Sequence, residues 1–145
     1  MISYHLTNTF SVPELLLLRL ATNAVELMPD PKGKQKIWRC HEVARAVRNL
    51  LGTGRVIDGH YGKCDHTWIE LHRKDDVYVP VILDVYAAGR VPQVQLVDMF
   101  WGLPHKKAYT VGEPRKDIRR SVVDYLVKSV QANPKWKKLK QRYEG

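Results

Sequence analysis

Three residues with the chemistry of acyl transfer are spaced along the chain: Cys40, His66 and Asp84. Cys40 is predicted to open a helix, where unpaired N–H groups and the positive end of the helix dipole lower the pKa of a thiol. His66 opens a strand-like alternation and is suited to take the thiol proton. Asp84 lies in the apolar stretch Val81–Val85 and is suited to orient the imidazole. Their order along the chain predicts a Cys–His–Asp catalytic triad.

Each of the three residues also has an ordinary structural explanation. A lone cysteine is more often a small buried hydrophobe, while His66 is compatible with a simple strand end and Asp84 with a turn cap. An unpaired charge inside an apolar strand is costly, however, so Asp84 is expected to have a partner. The prediction therefore depends on the three residues taken together.

Apolar periodicity and turn residues predict the elements that must position these side chains. Ser11 and Glu14 form a capping-box pattern at the start of a first helix, and Gly52 is a good C-cap for the helix that Cys40 opens. After His66, residues 67, 69 and 71 are expected on one face of a strand and residues 66, 68 and 70 on the other. The predicted helices cover residues 11–28, 40–51 and 117–131, the strands cover 55–61, 66–71 and 77–85, and residues 94–101 are predicted as a short helix or strand.

The composition is that of a globular domain. The chain has 145 residues, of which 44% are hydrophobic and 27% charged, enough to bury one core. Cys40 and Cys64 are its two cysteines, so a disulfide scaffold is not expected and a reducing, cytoplasmic location is. The sequence shows neither a secretory-signal pattern nor a stretch of membrane-spanning length.

The net charge of +9 is concentrated near the C-terminus. Residues 1–114 hold 14 Lys or Arg against 12 Asp or Glu, whereas residues 115–145 hold 10 against 3. We predict a single catalytic domain over residues 1–132 and a basic C-terminal tail over residues 133–145. Segment 115–145 is suited to an anionic partner, either nucleic acid or an acidic protein, although a solvated helix face has the same composition.

Four stretches of the sequence resemble the transglutaminase-like superfamily. Cys40–Ala46 is similar to its Cys-x-x-x-Ala helix, and Leu50–Tyr61 to the Gly turn and strand that follow. His66–Leu71 resembles its His-Ala-Trp-x-Glu strand, and Ile82–Tyr86 stands where its acid-bearing strand would follow. The resemblance covers about a third of the chain. Trp38 stands where a glycine is common, and the Cys-to-His interval is short for the family.

The resemblance implies Cys40 as nucleophile, His66 as general base and acid, and Asp84 as the group that orients the imidazole. It also implies an α+β, papain-like fold, in which a nucleophile-bearing helix packs on a small antiparallel sheet with N- and C-terminal helices flanking it. Such enzymes include proteases, amidases, deamidases and transglutaminases. We therefore expect a protein or peptide-like amide substrate, a thioester intermediate and no cofactor.

Attack on a carbonyl creates an oxyanion that needs hydrogen-bond donors. The backbone N–H of Cys40 is one candidate donor, and the side chains of Gln35 and Trp38 lie just upstream of it. Both side chains are equally compatible with surface or packing roles. Trp68 is expected to pack beside His66 and to limit the access of water, or simply to belong to the core.

A metal site is the main alternative. Imidazole and thiol ligands are numerous, but the sequence lacks the C-x-x-C and H-E-x-x-H patterns of zinc sites. His41, Arg45 and Arg48 are also expected on the side of their helix away from its apolar face, so that Cys40 and His41 point in different directions. The candidate ligands are Cys40, His41, His60, Cys64, His66 and His72.

Two further alternatives remain open at the level of sequence. Trp136 and Tyr143 lie among the lysines and arginines of the C-terminal segment, a mixture typical of nucleic-acid binding modules. An inactive relative that keeps the fold and uses its groove for binding is the other.

Overall fold

The computed structural model describes residues 10–31, 37–72, 81–86, 94–98 and 108–144. Within these ranges the chain forms four helices and five strands, which confirms the predicted α+β class. None of the described helices is long and apolar enough to cross a membrane. In chain order the elements are α1 (Val12–Glu26), α2 (Cys40–Leu51), β1 (Arg55–Tyr61), β2 (Cys64–Leu71), β3 (Val81–Asp84), β4 (Gln95–Asp98), β5 (Tyr109–Val111), α3 (Arg120–Gln131) and α4 (Pro134–Glu144).

The first two helices begin where local signals placed them, and α2 also ends there, whereas α1 ends at Glu26, two residues before the predicted end. The Ser11 hydroxyl accepts the Glu14 N–H, and the Glu14 carboxylate accepts the Ser11 N–H, so the predicted capping box is confirmed. Helix α2 begins at Cys40 and ends at Gly52, whose left-handed φ of 72° closes the helix. Because these signals lie within a few residues of each helix end, the sequence alone was enough to locate them.

The strands form one antiparallel sheet with the order β4-β3-β2-β1-β5, so β2 lies at its centre. Strand β2 begins at Cys64, two residues before the predicted start. The described part of the third predicted strand is β3, and residues 77–80 of that prediction lie outside the described residues. Residues 94–101 were predicted as either a short helix or a strand, and their described part contains the strand β4. Strand β5 was not predicted.

Strand β5 pairs with β1 at a close backbone approach. A side chain at Gly59 would place its Cβ 2.1 Å from the carbonyl oxygen of Thr110. Only glycine therefore permits this pairing, which aligns Tyr109 with Tyr61.

The sheet has apolar side chains on both faces. The main core lies between the helices and one face, which contributes Ile69, Leu71 and Leu83. A smaller cluster contains Ile57, Trp68, Ile82, Val97 and Tyr109. Because neighbouring residues Trp68 and Ile69 enter different clusters, the predicted alternation in β2 is confirmed for these positions.

The final helix was not predicted. Asn133 and Pro134 were interpreted as the start of a basic tail, but residues 134–144 form α4. Trp136 is 4% exposed and belongs to the same core cluster as Leu20 of α1, the helix against which α4 packs. The segment therefore packs on the body of the protein, with Lys135, Lys137 and Lys138 exposed.

Candidate active site

Cys40 is the first residue of α2 and its side chain is half-buried. The preceding residue, Arg39, has extended backbone angles and makes no side-chain cap. The first N–H groups of a helix have no intrahelical partner, and here no N-cap side chain accepts them close to the thiol. This is the position in a helix that most favours a thiolate.

His66 and Asp84 are brought together by adjacent strands. The Nε2 atom of His66 lies 2.8 Å from Oδ2 of Asp84, and both side chains are buried. Asp84 also accepts the backbone N–H of Tyr86 at 2.9 Å and the hydroxyl of Tyr109 at 2.6 Å. Three donors satisfy the buried carboxylate, so Asp84 has the partners that its apolar surroundings require.

The ionisation of Cys40 and His66 is coupled. Burial raises the pKa of the Cys40 thiol, but hydrogen bonds with His41 and His66 outweigh it and bring the pKa down to about 6. Burial lowers the pKa of His66, whereas its hydrogen bonds with Asp84 and Cys40 raise it more, to about 9. Near pH 7 the favoured pair is thus a thiolate and an imidazolium.

Asp84 binds one of the two ring nitrogens of His66. Because Nε2 faces Asp84, Nδ1 is the ring nitrogen left for the Cys40 thiol, whose pKa His66 lowers. A base that is hydrogen-bonded to a nucleophile and oriented by a third group is the arrangement used in covalent catalysis.

Aromatic side chains surround the imidazole of His66. Trp68 is 2% exposed and stacks on it with ring centroids 6.2 Å apart and an interplanar angle of 29°. Tyr61 lies edge-on at 5.9 Å, and Tyr109 lies at 6.3 Å. These rings limit the access of water to His66 and to its bond with Asp84.

Tyr109 is a site residue that sequence reasoning missed. Burial and the neighbouring charge of Asp84 raise the pKa of Tyr109 far above its usual range, so its hydroxyl remains a donor. The alternation Tyr109-Thr110-Val111 is only three residues long and lies among glycines and prolines. The short length of this pattern concealed β5 and the side chain that it carries.

His41 contradicts the expectation that it faces away from the buried side of α2. It is 7% exposed, and its Nδ1 lies 3.6 Å from the sulfur of Cys40 and 2.7 Å from the hydroxyl of Thr67. The first turn of α2 lies directly against β2, which carries Thr67. A side chain that follows Cys40 by one residue can therefore reach the thiol from the sheet side.

Asp58 holds this second histidine in place through Thr67. The hydroxyl of Thr67 donates to Asp58 at 2.8 Å, and the Arg45 guanidinium binds the same carboxylate at 2.6 and 3.1 Å. The backbone N–H of Arg115 adds a further bond at 3.0 Å. Arg45, also expected on the outer side of α2, is therefore half-buried and ties that helix to β1.

Glu42 anchors the first turn of α2 from the other direction. Its side chain has no exposed surface and is bound by the guanidinium groups of Arg39 and Arg119. Burial raises the pKa of Glu42, but the bonds to Arg39 and Arg119 outweigh it and hold the pKa below its usual range. The helix start that carries Cys40 is consequently fixed to the start of α3.

The predicted oxyanion side chains have different positions. Trp38 donates its indole N–H to the carbonyl of Pro29 at 2.7 Å, and its own carbonyl accepts the hydroxyl of Tyr86. That indole N–H is already engaged, so this structure gives Trp38 a packing role in place of the predicted donor role. Gln35 lies outside the described residues.

The metal alternative has no support in the described part of the chain, where no group of three or more His, Cys, Asp or Glu side chains could hold an ion. Among its proposed ligands, Cys64 is exposed, His60 lies beside Asp65, and His72 lies beside Glu70.

Comparisons with known proteins give no match among protein-family models, curated proteins or solved structures. The interpretation of the site therefore depends on its own geometry.

Proposed function

We propose that the protein is a cysteine-dependent acyl-transfer enzyme of the transglutaminase-like, papain-like type, acting on amide or isopeptide bonds. The observation that supports this most is the bond of 2.8 Å between buried His66 and Asp84, beside a half-buried Cys40 thiol whose pKa both His66 and His41 lower. A structural histidine needs neither a half-buried thiol nor an orienting carboxylate.

In the proposed mechanism, the thiolate of Cys40 forms a bond to the substrate carbonyl carbon, and the carbonyl electrons move to oxygen. Collapse of this intermediate breaks the C–N bond, and the leaving amine takes the Nδ1 proton of His66. Water or a second amine then attacks the thioester and gives a proton to His66. The C–S bond breaks and its electron pair returns to sulfur. Asp84 keeps the imidazole oriented throughout.

Two cysteines in one chain allow an internal test. At pH 6.5 a thiol with a pKa near 6 is about three-quarters ionised, whereas an ordinary thiol is roughly 1% ionised. The lower basicity of the thiolate reduces its intrinsic reactivity by about tenfold. We expect iodoacetamide to modify Cys40 roughly sevenfold faster than an ordinary exposed thiol such as Cys64, as measured by mass spectrometry of each peptide.

The variants Cys40→Ala and Cys64→Ser are the matched pair for this experiment. Cys40→Ala should abolish the fast modification by iodoacetamide. Cys64→Ser should retain both the fast modification and the enzymatic activity. Fast modification of Cys64 with slow modification of Cys40 would contradict the assignment of the nucleophile.

The type of transfer can be separated with one substrate set. Glutamine-containing peptides are incubated with and without a primary amine, and their products are identified by mass. Chain cleavage, conversion of Gln to Glu, and amine incorporation correspond to proteolysis, deamidation and transamidation. A product is assigned to the enzyme only if Cys40→Ala does not form it.

A second proposed activity is the binding of an anionic partner, specifically of nucleic-acid phosphates. A groove with a volume of about 670 Å³ lies between α2, the 115–118 segment and α3. Arg45 is neutralised by Asp58 and Arg115 by Asp117. Lys116 and Arg120 form no ion pair with another described residue, so the groove keeps an excess of positive charge. Its lining includes Arg45, Asn49, Arg115, Lys116, Arg120 and Asp124.

The double variant Lys116→Glu/Arg120→Glu tests the groove, and Lys137→Glu/Lys138→Glu on α4 is its charge-matched control. We expect the groove variant to weaken binding of a single-stranded oligonucleotide at least tenfold at about 50 mM salt, and the control to weaken it less. Equal losses would indicate diffuse charge in place of a groove. Retention of polyglutamate but not of the oligonucleotide would indicate an acidic protein partner.

A further inference from the structure

The mechanism proposed above leaves one buried ionisable group at the thiol unused. The Nδ1 atom of His41 is 3.6 Å from the sulfur of Cys40, a normal distance for a hydrogen bond to sulfur, and 2.7 Å from Oγ1 of Thr67. His41 has 7% of its surface exposed. It is thus in direct contact with the atom that the mechanism makes the nucleophile.

The hydrogen bonds around Thr67 determine where the proton of His41 lies. A hydroxyl has one proton to donate, and Thr67 donates it to Asp58 at 2.8 Å. Asp58 is ion-paired with Arg45 and therefore accepts. Thr67 must then accept from His41, so Nδ1 of His41 carries a proton in either charge state of the ring.

We propose that His41 is a second catalytic histidine, which donates its Nδ1–H to the sulfur of Cys40 and stabilises the thiolate independently of His66. This role depends on the proposed acyl-transfer function. The Nδ1–H of His41 acts twice in the cycle. It stabilises the thiolate before attack, and it stabilises the thiolate that forms when the thioester breaks and the C–S electron pair returns to sulfur.

The two histidines have different tasks because their partners differ. His66 gives its proton to the leaving amine and recovers one later, so for part of the cycle it is neutral. His41 keeps its Nδ1 proton between the sulfur and the Thr67 hydroxyl. A charge-assisted hydrogen bond to a thiolate is about twice as strong as a neutral one, so this donor can hold the leaving sulfur while His66 serves as a base.

Further ionisable groups near the thiol do not replace this donor. Tyr86 is raised in pKa by burial and by the charge of Cys40, and its hydroxyl donates to the carbonyl of Trp38. Asp84 acts on the thiol only through His66. The hydrogen bonds that favour the thiolate therefore come from His41 and His66.

The test measures the pH at which iodoacetamide modification of Cys40 is half-maximal, in four variants. His41→Phe removes the donor and keeps the bulk, and we expect its midpoint to rise by about one pH unit. His41→Asn places an amide N–H near the position of Nδ1 and should recover part of that change. His66→Gln should keep a midpoint below that of an ordinary thiol, because His41 remains. His72→Asn, on the surface, should match the wild type.

The outcomes separate this inference from the proposed function. If Cys40 of the wild type titrates as an ordinary thiol, the acyl-transfer proposal fails, and the role of His41 fails with it. If the wild type has a low midpoint and His41→Phe leaves it unchanged, only the His41 proposal is overturned. The result that His66→Gln alone restores an ordinary midpoint would overturn it as well.

A measurement on the unmodified protein covers the case in which His41→Phe does not fold. The ¹⁵N chemical shifts of the His41 ring report which nitrogen is protonated, and we expect a protonated Nδ1 in the wild type. Thr67→Val removes the acceptor and should weaken this preference and raise the midpoint of Cys40 modification. An unprotonated Nδ1 in the wild type would overturn the proposal.

Discussion

Asp84 controls the site at the scale of single residues, because its carboxylate determines the charge that His66 carries. In the folded protein the pKa of His66 is raised to about 9, with Asp84 as the main cause that opposes burial. A group whose folded pKa is raised stabilises the fold below its ordinary pKa, and that contribution is lost as the pH passes upward through the raised value. The imidazolium and its bond to Asp84 should accordingly weaken above pH 9.

The variant Asp84→Asn should lower the midpoint of the His66 imidazole titration, followed by NMR, by one to two pH units, because the neutral amide no longer favours the imidazolium. The Cys40 thiolate and the His66 imidazolium then coexist over a shorter pH range, because the upper limit of that range falls. Asp65→Asn is the matched control, since Asp65 is an exposed acid on β2, the strand that carries His66. An unchanged His66 midpoint in Asp84→Asn would show that burial and Cys40 govern the imidazole.

The candidate site was predictable from sequence only in part, for a physical reason. Cys40 begins α2, His66 is the third residue of β2 and Asp84 ends β3; these elements have clear periodicity, so the types and order of the three residues could be recognised in the sequence. Tyr109 and His41 act through contacts between elements. No local pattern reveals that Tyr109 reaches Asp84 across the sheet, or that the first turn of α2 buries His41 against Thr67.

At the scale of elements, buried carboxylates fix α2, the helix that presents the thiol. Glu42 binds Arg39 and Arg119 on one side, and Asp58 binds Arg45 on the other. A buried ion pair is not by itself a source of stability, but the removal of one partner leaves an uncompensated charge. The two carboxylates therefore specify where α2 lies and are sensitive points for substitution.

Glu42→Gln should lower the free energy of unfolding by about 2 kcal/mol, as measured by urea denaturation at pH 7, because a buried amide then faces two guanidinium groups. Glu70→Gln is the control, because Glu70 pairs with the exposed Arg55 side chain and should cost less than about 1 kcal/mol. The folded pKa of Glu42 is lowered, so its contribution is present above about pH 4.5 and is lost as the pH falls through the lowered value. Glu42→Gln should therefore lose less stability than the wild type as the pH falls. Equal losses in the two variants at pH 7 would contradict this role.

The elements themselves were predictable to the extent that their signals are local. The capping box at Ser11 gave the start of α1 and the glycine at Gly52 gave the end of α2, because each signal involves neighbouring residues. Helix α3 begins at Arg120, three residues after the predicted start, since Asp117 is bound to Arg39 and Arg115 outside the helix. Strand β5 depends on the distant Gly59, which no short window contains.

At the scale of the whole molecule, the positive charge and the apolar contacts of the C-terminal segment belong to different faces. Lys137 and Lys138 are exposed, and Trp136 between the charged positions is buried in the main core. Composition alone cannot distinguish the exposed charged face from the buried apolar face, because a charge count ignores which side of a helix each residue occupies. The single tryptophan is what distinguishes a packed helix from a solvated tail.

The burial of Trp136 also has a consequence for biosynthesis. The ribosome makes a chain from the N-terminus onward, and domains tend to fold in that order. Helix α1 emerges early, but part of its apolar face is covered by α4, more than a hundred residues later in the sequence. The main core can close only after α4 has left the exit tunnel. Until then the nascent chain exposes the part of α1 that α4 later covers, and it is at this stage that a chaperone would find its binding surface.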